Sequence, residues 1–307
     1  MNIYQKLPQL TESIITIGSF DGLHLGHQFL INEVKKIADE NKLPFYLISF
    51  EPHPRLVLQN NSDFKLLQTW AEKISQLEKL GVEHLIAIPF TRDLSQKSAE
   101  EFIQDYILKP LNPRIVVLGY DHKFGRDRQG SIDTFLALKE KFGLNLEVKQ
   151  LQEYMNQRSH ISSSIIRHHI QHGRIEQANE LLGYQYSVTG KVIEGKKLGR
   201  TLGFPTANVL SNDIHKLIPA IGVYHTTIEI DGVSYKSATS IGFNPTVENI
   251  DIPKIETYII DFMDDIYGKE VVLRFHHYIR GEEKYGSIDE LKLAIEQDVI
   301  TIKNNSD

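Results

Sequence analysis

Read as apolar and polar positions, the chain changes period once. From residue 13 to about 150, short apolar runs alternate with longer amphipathic stretches. IITIGSF (14–20), FYLISF (45–50), HLIAIPF (84–90), RIVVLGY (114–120) and LNLEVKQL (144–151) have the character of buried strands. Between them, 27–41, 69–80, 98–109 and 131–142 place apolar residues at helical spacing. Such alternation predicts an α/β fold with a doubly wound parallel sheet. Two more helices are expected over 162–172, after a serine cap, and 174–182, ending at Gly183.

Beyond LLGYQY the period shortens to two. YSVTGKVIEG, GVYHTTIEI, VSYKSATSI, KIETYIIDF and EVVLRFHHYI alternate and lie close together. Asp231-Gly232, between two of these runs, suits the positive φ angles of a type I′ hairpin turn. The stretch SIDELKLAIEQD (287–298) predicts one amphipathic helix, with Ser287 as cap and Glu290 at capping-box spacing. The second half is therefore expected to be an antiparallel β-barrel with a late α-helix. The change of pattern at 183–187 divides the chain into domains of residues 1–184 and 185–307.

Composition narrows the field. The 307 residues carry a net charge of -6 and no cysteine. Thiolate metal sites, disulfides and cysteine nucleophiles are excluded, and the acidic balance argues against non-specific binding to nucleic acid or anionic membrane. No signal peptide or membrane-length apolar segment is apparent. A soluble cytoplasmic protein, monomeric or weakly homo-oligomeric, is expected. Any anionic ligand must be held by local donors.

The first candidate site is GSFDGLHLGHQFL (18–30), where a strand runs through a loop into a helix. Phosphates favour helix N-termini at the carboxyl ends of parallel strands. The glycine spacing matches neither GxGxxG nor GxxxxGK[ST]. His24 and His27 could be turn residues or two ligands of a metal that lacks an obvious third. With Gly26 between them, they could also offer N–H donors to charge developing on a phosphoryl group. The HLGH stretch resembles the HxGH signature of the HIGH nucleotidyltransferase superfamily. GSFDGLHLGHQ is closer still to the opening motif of bacterial bifunctional riboflavin kinase/FMN adenylyltransferases, and FEPHPR (50–55), GYDHKFGRDRQG (119–130) and ISSSIIR (161–167) extend the likeness. The resemblance implies a Rossmann-like nucleotidyltransferase domain. In it, Gly18, Phe20, Asp21, Gly22, His24, Gly26, His27, Ser162, Ser163, Ser164 and Arg167 would bind ATP, and Pro52, His53, Pro54, Asp121, Phe124, Gly125 and Arg128 would bind FMN.

The second candidate is GKKLGRTLGFPTANV (195–209), a basic stretch that could equally be a solvated loop. After Pro205, Thr206 and Asn208 alternate to one side and offer oxygens suited to Mg²⁺ on ATP phosphates. Glu256, within an apolar strand, is either an ion-pair partner or a base. These blocks, with IGFNPT (241–246), DIYGK (265–269) and IRGEEKYGSIDEL (279–291), resemble the riboflavin kinase module. The likeness implies that Gly195, Lys197, Gly199, Arg200, Gly203, Pro205, Thr206 and Asn208 hold Mg-ATP, with Thr206 and Asn208 on the metal. It further implies that Asn244, Arg280 and Glu282 bind riboflavin, and that Glu256 accepts the 5′-hydroxyl proton. His122, Ser164, Ser240 and Tyr285 depart from the family's usual residues.

The expectation is a bifunctional transferase of FAD biosynthesis that uses ATP, with flavins as substrates and products. The alternatives are that one module is active while the other binds or senses flavin or nucleotide, or that both only bind. Among the remaining signals, His168 and His172 have zinc-like spacing but are expected on a surface or flavin-facing helix. His276 and His277 are expected to face opposite ways from a regular strand. Trp70 is expected simply to pack.

Overall fold

The computed structural model describes residues 1–58, 64–120, 122–155, 160–195, 203–243 and 253–305. It divides into two compact units, Met1–Ser162 and Ser163–Asp307.

In the first unit, β1 (Asn2–Tyr4), β2 (Ser13–Ile17), β3 (Phe45–Glu51), β4 (His84–Pro89), β5 (Pro113–Leu118) and β6 (Glu147–Gln150) form one sheet in the order β1-β4-β3-β2-β5-β6. Every pairing in it is parallel. The helices are α1 (Leu25–Asn41), α2 (Pro54–Leu58), α3 (Trp70–Lys79), α4 (Arg92–Gln96), α5 (Ala99–Phe102), α6 (Lys109–Leu111) and α7 (Ile132–Phe142), with a π-helical turn (Ile103–Leu108) joining α5 to α6. Alternate residues of the central strands serve two separate cores. Ile14, Leu47, Leu85 and Val117 pack with Ile31 and Val34 of α1 and Leu77 of α3. Ile15, Ile48, Ile86 and Val116 pack with Ile107, Phe135 and Leu138. Strands buried on both faces must be apolar throughout, which is why their sequence does not alternate. The chain departs to opposite sides of the sheet from β2, so the β2–β5 boundary is the topological switch point where such sheets bind ligands.

The second unit begins with α8 (Ser163–Gln171) and α9 (Ile175–Leu182). The barrel that follows, β7 (Ser187–Ile193), β8 (Thr206–Ser211), β9 (Gly222–Ile230), β10 (Val233–Gly242), β11 (Lys254–Ile259) and β12 (Glu270–Arg280), closes in the order β10-β11-β8-β7-β12-β9. Its pairings are antiparallel. At the β9–β10 hairpin Asp231 and Gly232 adopt φ of 51 and 81°, as a type I′ turn requires. The last helix, α10 (Ile288–Asn304), runs a turn and a half past its predicted end. Ser287 caps it by accepting from Glu290 N at 3.2 Å, while the Glu290 carboxylate reaches Gly286 N at 2.8 Å, not the cap residue itself.

One expectation fails here. His276 and His277 do not face apart, because β12 shifts register between Phe275 and His277. The bulge brings both rings against His225 of β9, at 4.9 and 5.7 Å between centroids. It also presents backbone groups to α9: Asn179 donates to Phe275 O at 2.9 Å, and Tyr278 N donates to Glu176 at 3.3 Å. Thus α8 and α9, although they precede the predicted boundary in sequence, pack with the barrel.

Candidate active sites

At the carboxyl end of β2 the chain makes a turn that few sequences tolerate. Phe20 (φ 47°), Gly22 (φ 83°) and Leu23 (φ 36°) all lie in the left-handed region. The two non-glycine residues are held there by burial, at 1% and 0% exposure. Asp21 ties the turn down by accepting from Leu67 N at 3.0 Å and Gln68 N at 3.4 Å. His24 occupies the N-cap position of α1, but its side chain does not cap the helix. Its ring instead stacks on His27, with centroids 3.7 Å apart and planes 17° from parallel. Phe20 packs edge-on against His27 at 5.3 Å.

Gly26 has a specific role in this pair. A Cβ there would stand 3.2 Å from His24 Nδ1, pressing on the ring. Burial pushes the His24 imidazole down to about 4, against the opposing influence of Asp21. Burial likewise drives His27 well below the usual histidine range, with His24 and Lys73 adding to the effect. Both rings are therefore neutral near pH 7. The Nδ1 atoms of both are buried and without a hydrogen-bond partner among the described residues. Two neutral imidazoles with uncommitted nitrogens, at a helix N-terminus on the switch point, can bind an anion such as a phosphate as hydrogen-bond donors.

Two neighbours escaped the sequence reading. Lys73 of α3 is 4% exposed and donates to Ser19 O at 2.7 Å. His160 lies close enough to His24 to act on its charge, and shares hydrogen bonds with Tyr120 and Glu153. A signal for Lys73 existed, because it stands four residues before Leu77 on the buried face of an amphipathic helix.

The flavin-side residues are spread more widely. His53 is buried and accepts from Arg55 N at 3.1 Å, next to exposed Pro52 and to Pro54, the first residue of α2. Phe124 is itself a core residue, packed against Phe102 and Phe135. Gly125 (φ 72°) passes so near Ala99 that a Cβ would come within 2.7 Å of its Cα. Asp121 lies outside the described residues, as does the Arg128 side chain. Ser163 and Ser164 open α8, Ser162 precedes it, and Arg167 is buried within it; Ser163, Ser164 and Arg167 belong to the second unit and Ser162 to the first.

On the barrel, Asn208 pairs directly with Glu256 across β8 and β11, and Thr206 lies two residues along the same face. Gly195 approaches so closely that a Cβ would sit 2.1 Å from Asn208 Nδ2, fixing that amide in place. Glu256 accepts a hydrogen bond from Lys254, two residues away on the same face. Of the two readings of Glu256, the ion pair is present. Thr206 and Pro205 line a cleft of about 420 Å³ with Val192, Ile266 and Tyr267. Gly203 (φ 86°) stands at its approach in sequence. Arg280 is committed to the buried Asp298 of α10, at 2.7 Å, and Glu282 rests against Gly242, where a Cβ would be 2.2 Å from its carboxylate. Lys197, Gly199, Arg200 and Asn244 lie outside the described residues.

No group of three His, Cys, Asp or Glu side chains among the described residues could hold a metal ion. The oxygens of Thr206 and Asn208 nonetheless suit Mg²⁺ that takes its other ligands from phosphate and water. None of the described helices is long and apolar enough to cross a membrane.

Comparison with known proteins adds independent findings. The FAD synthetase family model matches residues 6–165 and the riboflavin kinase family model matches 182–305. A bifunctional riboflavin kinase/FMN adenylyltransferase of Bacillus subtilis is 38% identical over 291 residues, covering 94% of this chain and 90% of that one. Its Listeria monocytogenes counterpart is 35% identical, covering 93% and 90%. A Streptococcus pneumoniae crystal structure described as a macrolide-efflux protein superposes with TM-score 0.89 at 31% identity, covering 99% of both chains.

Proposed function

The chain belongs to the bifunctional riboflavin kinase/FMN adenylyltransferase family and is a transferase with both activities, and we propose that its residues divide the two reactions as follows. The observation that carries the assignment is that each matched segment holds its own polar constellation, the stacked His24–His27 pair in one and the Asn208–Glu256 pair in the other. We take residues 1–184 as the adenylyltransferase segment and 185–307 as the kinase segment.

In the kinase reaction the riboflavin 5′-oxygen attacks the γ-phosphorus of ATP, giving FMN and ADP. Glu256 takes the hydroxyl proton, its carboxylate held by Lys254 on the face shared with Asn208. Thr206 and Asn208 would hold Mg²⁺ with the nucleotide phosphates. When bound, the metal neutralises phosphate charge. The cleft beside Thr206 takes the nucleotide, and Glu282, with Asn244 and Arg280, serves the flavin. Lys197, Gly199 and Arg200 are assigned to the ATP phosphates on their motif alone.

In the second reaction the FMN phosphate displaces pyrophosphate from the α-phosphorus of ATP and forms FAD. That phosphate is already ionised, so no strong base is needed. His24 and His27 donate to charge accumulating on the α-phosphoryl oxygens, which neutral imidazoles can do without releasing a proton. Ser162, Ser163, Ser164 and Arg167 are assigned to the leaving pyrophosphate, and Pro52, His53, Pro54, Asp121, Gly125 and Arg128 to FMN, on their motifs. Phe124 contributes by anchoring that loop in the core. Both reactions draw on cytoplasmic ATP.

Incubating the protein with riboflavin, ATP and Mg²⁺ and separating the flavins tests the reading. FMN and FAD should both accumulate, and FMN supplied directly should yield FAD and pyrophosphate. FMN as sole product would reduce the N-terminal segment to a binding module.

A further inference from the structure

The adenylyl-transfer reading leaves one buried cation without a role. Lys73 is 4% exposed, on the first turn of α3, and this turn is locked by a full capping box between Thr69 and Glu72. Burying an ammonium is costly unless it is paired and hydrogen-bonded. Its observed bond is to a backbone carbonyl, Ser19 O at 2.7 Å, which also receives a bond from Ser49 Oγ at 3.4 Å. Burial pushes the Lys73 ammonium below the usual lysine range, and Asp21 and Glu51 are the carboxylates that oppose this. Ser19 lies between Gly18 and the first of the left-handed residues, so the bond fastens the turn at its entry, while Asp21 fastens it in the middle.

We propose that Lys73 is a positioning residue of adenylyl transfer, clamping the Gly18–Leu23 turn through Ser19 and placing its ammonium beside the histidine pair. The inference rests on the adenylyl-transfer role given above to His24 and His27. Its physical content is twofold. A turn with two non-glycine residues at positive φ has cheaper conformations available, and each must be excluded for the rings to stay stacked at N–H donor geometry. The ammonium also disfavours a proton on His27. The charged or titratable groups acting on this pair are His24 and Lys73 on His27, and Asp21 and His160 on His24.

The test is the full-length chain with K73M, which keeps the stem and removes the charge and donor, alongside K73R and H27A. Riboflavin phosphorylation by the same chain and the thermal transition report folding. K73M is expected to lower kcat for FAD formation roughly 10–100-fold, as misplacement of reacting groups does. Its acid limb in the pH–rate profile should move to higher pH, because removing a cation lets His27 take a proton sooner. K73R should leave the limb where the wild type has it, and it carries the test alone if K73M loses the folded transition. Wild-type kcat in K73M, a kcat loss with the limb unmoved, or a displaced limb in K73R would each overturn the proposal. Full FAD formation by H27A would instead sink the reading beneath it, so the two failures are distinct.

Discussion

At His24 and His27, burial has been set against charge. A free histidine titrates near 6.5, and the folded chain holds His24 at about 4. Between those values the unfolded chain binds a proton that the folded chain refuses, so stability falls as pH drops through this window and levels off below it. By pH 5 the loss from His24 alone is on the order of 2 kcal/mol. Thermal melts at pH 7.5 and 5 should therefore differ less in an H24Q/H27Q variant than in the wild type. For catalysis, alanine at either position should lower FAD formation by roughly 10²-fold or more, the usual cost of a lost preorganised donor. Product chromatography with FMN and ATP would measure it, and unchanged turnover in both variants would remove the histidines from the mechanism.

Among the elements, barrel strands β9, β10 and β11 share a polar interior seam. Thr226 meets Ser237 at 2.8 Å and Thr239 at 2.7 Å, and Thr239 meets Thr257 at 2.9 Å, all fully buried. Shifting β10 by a residue would break every one of these bonds, so the seam selects the register. T226V removes its central hydroxyl at nearly constant volume and should destabilise the barrel by about 1–3 kcal/mol, read as a lower melting temperature. A neutral result would show the seam to be dispensable. Such features mark the limit of what the sequence discloses. Alternation and turn chemistry made five of the six barrel strands, all but β8, and the Asp231-Gly232 hairpin legible. Neither could show the β12 bulge, since a register slip depends on what the partner strand and α9 offer. The three-residue β1 is too short to carry a period. The same holds for side chains: His24, His27, Asn208 and Glu256 were visible through motif and strand parity, whereas Lys73 acquires meaning only from Ser19, Asp21 and Glu51, brought to it by the fold.

For the whole molecule, the two constellations sit in different segments and use different side chains, so each should be silenced alone. E256Q is expected to lower riboflavin phosphorylation by roughly 10²–10⁴-fold, the usual contribution of a general base. Conversion of supplied FMN to FAD should persist in E256Q, and H27A should show the reverse pattern. Loss of both activities in either variant would mean that the segments do not act separately.

The docking of α9 on β12 has a practical consequence for dividing this polypeptide. A nick after residue 184 severs the chain but not the packing, because Asn179 and Glu176 would still grip the bulge. The 1–184 fragment made alone would carry Ile175, Ala178, Leu181 and Leu182 with their cover removed. Such a fragment should be adhesive and poorly soluble on its own, yet copurify with the complementary piece as a split protein.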